Sequence, residues 1–327
     1  MSAVPTIDIS PFLGNEPARR RAVADQVART CEQTGFLIIS GHGFPHDLLA
    51  RAQRELFAFF DLPVETKNRW HPTGPSKQRG YHGFATRGLA YTLGEQTPPD
   101  LRETVFLGPV DDHRAYYGKL PEAATSYAPN VVPDEPAGLA ATLVSLYREY
   151  ERLARDMMRV FAAALKLPEA FFGGTLDRHF SIMSCHHYPV LEKPPLPGQL
   201  RTGAHTDYGA MTILAATDAQ GRLEVRMPDG NWAGVLPKPG EFVVNLGDMM
   251  ARWTNERWAS TLHRVVNPPL GMAHSRRLSI GMFVHPNYDQ RIECVPTCLA
   301  AGEIPRYAVI TAGEHIKRKI ERSHEAA

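Results

Sequence analysis

The stretch His205-Thr-Asp207-Tyr-Gly-Ala-Met211-Thr-Ile-Leu-Ala215 joins a candidate metal-binding pair to an apolar run typical of a β-strand. Because side chains two apart on an extended chain point to the same side, His205 and Asp207 could reach one metal ion. Similar short runs follow toward the C-terminus, separated by turn residues such as Pro, Gly and Asn. The clearest are residues 223–227, 242–246, 263–266 and 278–284. Many short strands with such turns predict a sandwich, barrel or jelly roll from about residue 180 onward.

A third candidate ligand, His263, begins one of the other β-like runs and could meet the first two inside such a barrel. Two imidazoles and one carboxylate bind one face of a metal and leave its remaining positions open, which is the arrangement of non-haem Fe(II) oxygenases. A single His-x-Asp in a chain with 14 histidines is weak evidence when taken alone. The prediction of an iron site therefore depends on the residues farther along the chain.

Arg277 and Ser279 are also two apart on a predicted strand, so both side chains could face the barrel interior. An arginine that points inward is costly unless it is paired, and its guanidinium matches a carboxylate with two parallel hydrogen bonds. This pair therefore predicts a binding site for an anionic ligand near the metal. Arg276 should point to the opposite face, where we expect a solvated charge at the rim.

The N-terminal half has a different texture, with helices, short strands and long loops. The clearest predicted strands are residues 4–9 and 36–39, and the predicted helices are 18–34, 46–61 and 137–167. Residues 71–135 are rich in Pro, Gly and polar residues, which predicts long loops with short strands. The last helix has the strongest three- and four-residue apolar periodicity and predicts a structural backbone for the fold. A charged tail at residues 312–324 is also typical of a helix.

No internal repeat or low-complexity linker divides the 327 residues, so a single domain is predicted. Its parts, in chain order, are a mixed region with helices and loops (1–135), a long helix (137–167), a jelly-roll core with the metal site (180–290) and a C-terminal helical segment (300–327). The net charge of +1 gives no indication of binding to nucleic acid or to an anionic membrane surface.

The four cysteines are too few for a disulfide framework in a chain of this length, so reduced thiols in a cytoplasmic protein are expected. No signal peptide is visible at the N-terminus, and no apolar run approaches the roughly 18 residues of a membrane span. A small-molecule substrate is the expectation that agrees best with this composition. The sequence does not determine the oligomeric state.

The order and spacing of these motifs resemble the Fe(II)/2-oxoglutarate-dependent dioxygenases of the isopenicillin N synthase type. The resemblance covers nearly the whole chain. Its C-terminal half carries His205-Thr-Asp207, Asn245-Leu-Gly-Asp248, Ser260-Thr-Leu-His263 and Arg277-Leu-Ser279, and its N-terminal half carries Val4-Pro-Thr-Ile-Asp-Ile-Ser10, Gly41-His-Gly43 and Arg102-Glu103. Gly313-Glu-His315 near the end also fits the family pattern. His186-His187 departs from it, because Asn or Arg and an aromatic residue are commoner before the Tyr-Pro.

This resemblance implies an α+β protein with a mainly β core, a double-stranded β-helix (jelly roll) flanked by helices. It implies Fe(II) bound by His205, Asp207 and His263, with O₂ and 2-oxoglutarate as co-substrates. Arg277 and Ser279 correspond to the pair that binds the distal carboxylate of 2-oxoglutarate, and Tyr188 matches a tyrosine that helps to hold the co-substrate or the substrate. The implied reaction oxidises a C–H bond of a small molecule and releases succinate and CO₂. Hydroxylation is its default outcome, and desaturation or ring closure are the alternatives.

Two other functions are weighed against this one. Isopenicillin N synthase itself uses the same iron ligands without 2-oxoglutarate, and its Arg-x-Ser binds a carboxylate of the substrate instead. A jelly-roll protein that binds a metal or ligand without catalysis is the second alternative, and the intact triad argues against it. Candidate substrate contacts are Tyr208 and Phe283 beside the motifs, and Tyr81, Phe84 and Arg87 from the loop-rich N-terminal region, which could fold over the barrel mouth.

Overall fold

The structure is a computed structural model that describes residues 4–88, 98–217 and 221–325. The helices are α1 (Ser10–Leu13), α2 (Pro17–Gln33), α3 (His46–Phe60), α4 (Val64–Lys67), α5 (Arg114–Tyr117), α6 (Leu139–Ala164), α7 (Asp248–Trp253) and α8 (Ala312–Glu325). The strands are β1 (Thr6–Asp8), β2 (Phe36–Ser40), β3 (Gly80–His82), β4 (Glu103–Leu107), β5 (Ile182–Tyr188), β6 (Thr202–His205), β7 (Met211–Ala216), β8 (Leu223–Arg226), β9 (Trp232–Gly234), β10 (Phe242–Leu246), β11 (His263–Val265), β12 (Arg277–Val284), β13 (Arg291–Ile292) and β14 (Ile310–Thr311).

Two sheets build the centre of the molecule. The large sheet has the strand order β1-β2-β10-β7-β12-β5-β4-β3, and the small sheet has the order β6-β11-β8-β9. All pairings are antiparallel except that of β1 with β2. Strands β1 to β4 come from the N-terminal region, so the large sheet extends beyond the predicted core at residues 180–290.

One face of the large sheet packs against helices α2, α3 and α6. The residues of α6 at three- and four-residue steps, including Leu146, Tyr150 and Leu153, are fully buried in this core. The Tyr150 hydroxyl donates a hydrogen bond to the backbone carbonyl of Ile280 in β12 at 2.8 Å. The long helix thus fixes the position of the strand that carries Arg277.

The other face of the large sheet turns toward the small sheet. A second apolar cluster fills the space between them and combines Phe36, Ile38 and Val243 of the large sheet with Val225 and Val265 of the small one. Two facing antiparallel sheets with flanking helices confirm the predicted jelly-roll fold. Within the described part of the chain, no helix has the length and apolar character that crossing a bilayer requires.

The predicted helices and strands lie at the observed positions, but several of them begin or end at different residues. The predicted helix 137–167 is observed as Leu139–Ala164. The C-terminal segment 300–327 is helical only from Ala312 onward, because the residues before it, with Gly302 and Pro305, form turns and then the short strand β14. Strands β3 and β4 lie inside residues 71–135, where long loops with short strands are predicted.

Candidate metal centre and co-substrate site

The three predicted metal ligands converge between the two sheets. His205 ends β6, His263 begins the neighbouring β11, and the two residues are directly paired across the strands. One Asp207 carboxylate oxygen lies 3.6 Å from Nε2 of His205 and 3.8 Å from Nε2 of His263, and one ligand atom from each residue lies within 4.8 Å of the others. These separations fit a single ion held by bonds of about 2 Å. All three residues are buried, so an ion here would be largely shielded from water.

The hydrogen bonds of the two histidines direct their free nitrogens toward this point. Nδ1 of His205 donates to the Gly203 carbonyl at 2.8 Å, and Nδ1 of His263 donates to the Thr261 carbonyl at 3.0 Å. Each bond assigns the proton to Nδ1 and leaves Nε2 as a lone-pair donor, which is the outer support typical of metal-ligating histidines. Burial and the nearby His263 lower the pKa of His205 to about 3, so its ring is neutral and ready to bind a cation.

The second oxygen of Asp207 is held by the large sheet. Thr212 of β7 donates to it at 2.5 Å and Asn245 of β10 donates at 2.7 Å. Burial alone would raise the pKa of Asp207, but His263, His205 and these two hydrogen bonds lower it below its ordinary value. The carboxylate is therefore ionised and fixed in orientation, with one oxygen free to bind a metal.

The segment that carries Asp207, residues 206–209, is called the metal loop below. The first backbone amides of α7 close over it, because the amide of Asp248 donates to the carbonyl of Asp207 at 2.8 Å. Gly247 permits this close approach, since a Cβ there would lie 2.2 Å from the Gly209 carbonyl oxygen. No side chain larger than hydrogen fits at that position without displacing the loop.

Arg277 and Ser279 lie at the start of β12, on the face of the large sheet that also carries Thr212 and Asn245. Arg277 is only 5% exposed, and its Nη1 has no hydrogen-bond partner among the described residues. Burial lowers the pKa of Arg277. Because a buried guanidinium nitrogen without a partner is costly, this geometry indicates that an anion completes the site. Ser279 is buried two residues away on the same face and offers a hydroxyl.

Tyr188 stands directly opposite Arg277 in the pairing of β5 with β12. The guanidinium carbon of Arg277 lies 5.4 Å from the centre of the Tyr188 ring, and that of Arg201 lies 5.6 Å from it. The Tyr188 hydroxyl is hydrogen-bonded to Thr202 of β6 at 3.1 Å. This tyrosine therefore connects the two sheets and supports Arg277 through its ring.

A buried polar network on the opposite face of the same strands was not predicted. Glu103 accepts hydrogen bonds from His187 at 2.8 Å, from Lys67 at 2.7 Å and from Tyr81 at 2.6 Å. Arg276 donates through Nε to Nε2 of His187 at 2.9 Å. Along each strand, the residues of this network alternate with residues that face the metal side of the large sheet.

Two sequence-based expectations change as a result. Tyr81 is 1% exposed and faces the helices, where it packs on Phe59, so it does not reach the barrel mouth. Alternation along the buried strand β3, which the loop-like composition concealed, accounts for the difference. Arg276 does face away from Arg277 as predicted, but it is a partner of Asp61 at 2.7 Å rather than a solvated charge.

His186 and Arg102 form a polar wall beside the metal site. His186 is paired with Ser279 across the strands and so shares its face. Arg102 donates to Nε2 of His186 at 3.1 Å, and Nδ1 of His186 then donates to Thr104 at 2.9 Å. Burial, and after it the charge of Arg102, lowers the pKa of His186 well below its ordinary value. A salt bridge of 3.1 Å joins Arg102 to Asp100.

The remaining predicted substrate contacts lie in three places: on β12, in the metal loop and in the turn after β3. Phe283 is paired with Thr212 and therefore faces the metal side of the large sheet. Tyr208 is half-buried in the metal loop. Arg87 is exposed and lies 5.6 Å from the ring of Phe106, which itself packs edge-on against His186. Phe84 is 43% exposed in the turn just before Arg87.

Comparison with known proteins agrees with this geometry. Residues 4–135 match the family model described as non-haem dioxygenase in morphine synthesis N-terminal, and residues 179–286 match that of the 2OG-Fe(II) oxygenase superfamily. The 2-oxoglutarate-Fe(II) type oxidoreductase hxnY of Emericella nidulans is 33% identical over 329 residues, which cover 100% of this chain and 92% of that protein. The homoarginine-6-hydroxylase 2-ODD-233 of Oryza sativa subsp. japonica is 33% identical, with 97% and 96% covered.

Among solved structures, a full-length protein of Neurospora crassa in complex with alpha-KG and thymine superposes with a TM-score of 0.84 and 28% identity, covering 99% of this chain and 97% of that one. The chain therefore belongs to the Fe(II)- and 2-oxoglutarate-dependent oxygenase family. It is a non-haem oxygenase that uses Fe(II), 2-oxoglutarate and O₂, and the names of its relatives support 2-oxoglutarate use over the oxidase alternative.

Thr212→Val should weaken metal binding without unfolding the protein. The change removes the hydroxyl that orients Asp207 and keeps the shape of the side chain, and loss of such outer support typically lowers metal affinity by about 10- to 100-fold. Anaerobic titration of the apoprotein with Fe(II) measures the effect. Thr125→Val, at an exposed position, is the control. Equal affinity of the Thr212→Val and control proteins would contradict the supporting role of Thr212.

The free energy of unfolding of the apoprotein should fall as the pH is lowered from 6.5. Burial lowers the pKa of His205 to about 3 and the pKa values of His82, His285 and His315 to about 4, against an ordinary value of 6.5. Below 6.5 the unfolded chain binds protons that the folded chain does not, so stability present above this pH is lost by about 1 kcal/mol per histidine over the first unit. Urea unfolding at about pH 7.5 and about pH 5.5 measures the change, and equal stability at both would contradict it.

Proposed function

We propose that His205, Asp207 and His263 bind Fe(II), and that Arg277 and Ser279 bind the distal carboxylate of 2-oxoglutarate. The observation that carries the co-substrate assignment is the buried Arg277, whose Nη1 lacks a partner in the described part of the chain. A carboxylate would supply the missing acceptor and neutralise the buried charge with two hydrogen bonds. Support for the iron assignment comes from the free nitrogens of the two histidines and the free oxygen of Asp207.

Fe(II), when bound, supplies the activation of O₂ that couples decarboxylation of 2-oxoglutarate to oxidation of a C–H bond. The protein's own residues position the reactants. Thr212 and Asn245 fix the Asp207 carboxylate, and Tyr188 supports Arg277. The apolar cluster between the two sheets provides a water-excluding side of the site. The protein acts mainly by holding and orienting, while the cofactor carries the redox step.

The prime substrate, in this proposal, is a small polar molecule that binds between the metal loop and β4. Phe283 and Tyr208 offer aromatic surface on one side, while Arg102 and Arg87 offer charged donors on the other. Such walls suit a flat or compact molecule with hydrogen-bond acceptors. A relative named for homoarginine and a similar structure that contains thymine indicate the size range, and hydroxylation is the outcome we propose.

Arg277→Ala should raise the dissociation constant of 2-oxoglutarate by about 100-fold, since hydrogen bonds to a charged group contribute about 1.5–3 kcal/mol. Fe(II) binding should be unchanged, because Arg277 is not among the ligands. The measurement is the weak visible charge-transfer band that forms when 2-oxoglutarate is added anaerobically to the Fe(II) protein. Arg276→Ala is the matched control, since it removes the neighbouring guanidinium on the opposite face.

The outcomes separate the two iron chemistries. A band in the wild-type protein that is lost in Arg277→Ala and kept in Arg276→Ala supports the proposal. Iron binding without any band in the wild-type protein would instead favour an oxidase in which Arg277 binds a carboxylate of the substrate. Unchanged co-substrate affinity in Arg277→Ala would remove the role assigned to this residue.

Phe283→Ala should raise the KM of the prime substrate by roughly 3- to 10-fold, because an aromatic contact contributes about 0.5–1.5 kcal/mol beyond its area. The substrate is first found by screening small polar heterocycles and amino acids for stimulated succinate release. The ratio of product to succinate should also fall in the variant. Phe171→Ala, which removes a ring 41% exposed to solvent, is the control. An unchanged KM and ratio would place the substrate elsewhere.

A further inference from the structure

The C-terminal helix α8 contacts the metal loop at several points. Its first turn packs closely against the ring of Tyr288 at Gly313. A Cβ at this position would lie 2.3 Å from that ring, so only glycine allows the helix to pack this closely. The backbone amides of Ala312 and Gly313 donate to the carbonyls of Gln290 and Tyr288. This anchoring fixes the direction in which the helix runs across the molecule. The side chains that it then presents to the metal loop are His315 and Lys319, which are four residues apart and so lie on one face of the helix.

Lys319 reaches the metal loop through one intermediary. Its Nζ lies 2.5 Å from a carboxylate oxygen of Asp248, and the same oxygen accepts a hydrogen bond from the Thr206 hydroxyl at 3.2 Å. Thr206 stands between the ligands His205 and Asp207. The Asp248 side chain is only 13% exposed and that of Lys319 is 34% exposed. Because the Asp248 carboxylate is mostly buried, this partly exposed pair is screened somewhat less than a fully exposed surface salt bridge.

His315 contacts the metal loop directly. Its ring is buried, and Nε2 donates a hydrogen bond to the backbone carbonyl of Tyr208, the residue after Asp207, at 3.1 Å. Lys319 also lies 5.7 Å from the centre of the Tyr208 ring. Residues on both sides of the metal ligand Asp207 are therefore held from one helix, at Thr206 and at Tyr208.

We propose that α8 is a clamp on the metal loop, with Lys319 and His315 as positioning residues for Asp207 and Tyr208. The proposal rests on the assignment of Asp207 as an iron ligand. The amides at the start of α7 hold the backbone of the loop, while α8 acts on the Thr206 side chain through Asp248 and adds the His315 hydrogen bond to the Tyr208 carbonyl. Release of the clamp leaves the three ligands in place but widens the range of positions that the carboxylate can take. Metal affinity should then fall more than the stability of the fold.

Lys319→Met tests the clamp against Lys317→Met on the same helix. Both changes remove one lysine charge from α8, but Lys317 is exposed and forms its ion pair with Glu321, at 3.9 Å, away from the metal loop. Lys319→Met should raise the anaerobic dissociation constant of Fe(II) by roughly tenfold, the lower end of the range for outer supports of a metal site. Lys317→Met should leave it unchanged, and Lys319→Arg should restore much of the affinity. The thermal midpoint of the apoprotein should differ little between the two Met variants.

A double-mutant cycle with Thr206→Val isolates the connection through Asp248. If Lys319 acts on the metal loop through Asp248 and Thr206, the two substitutions together should weaken Fe(II) binding about as much as the larger single effect. Fully additive losses, or equal metal affinity of Lys319→Met and Lys317→Met, would overturn the clamp. A wild-type protein that fails to bind Fe(II) would overturn the ligand assignment, and the clamp with it. Normal wild-type binding with an unaffected Lys319→Met variant would overturn the clamp alone.

Discussion

The Asp207 carboxylate is the point on which the geometry of the site depends, because it joins the two sheets. One oxygen faces the histidines of the small sheet, and the other is held by Thr212 and Asn245 of the large sheet. A shift of one sheet relative to the other would break either the metal triad or these hydrogen bonds. The two histidines and these two hydrogen bonds keep the pKa of Asp207 below its ordinary value despite burial, so the carboxylate stays ionised at ordinary pH.

The position of the proposed co-substrate site depends on protein contacts that do not involve the ligand. Arg277 has a missing partner on the site face, which leaves it available for a ligand, and its position must therefore be set by other contacts. The ring of Tyr188 supports the guanidinium of Arg277, and the Tyr150 hydroxyl of α6 donates a hydrogen bond to the Ile280 carbonyl in the same strand. Strand alternation makes this possible, since the helix-facing residues of β12 fix the strand while Nη1 of Arg277 stays available on the opposite face.

The sequence predicts which residues share a face when they lie only a few positions apart. Alternation placed His205 with Asp207 and Arg277 with Ser279, and the helical period located the long helix. Thr212, Asn245 and the partners of Glu103 could not be obtained in this way, because their roles depend on which distant strands become neighbours and in what register. Tyr81 shows the same limit, since a three-residue strand inside a loop-rich region carries too little periodicity to reveal which face it will bury.

The order of strands in the large sheet places the proposed metal and co-substrate residues apart from the residues proposed to contact the substrate. Strands β7 and β10, together with the small sheet, hold the proposed iron ligands, and β12 carries the arginine proposed to bind the co-substrate. Arg102 and His186 lie at β4 and β5, nearer the edge formed by β3 and beside the exposed turn with Phe84 and Arg87. Among the described hydrogen bonds, Arg102 is connected to the triad indirectly, since its partner Asp100 accepts from the amide of Gly203, whose carbonyl accepts from His205. Changes at the edge beyond Arg102 therefore leave the direct contacts of the triad and of Arg277 in place.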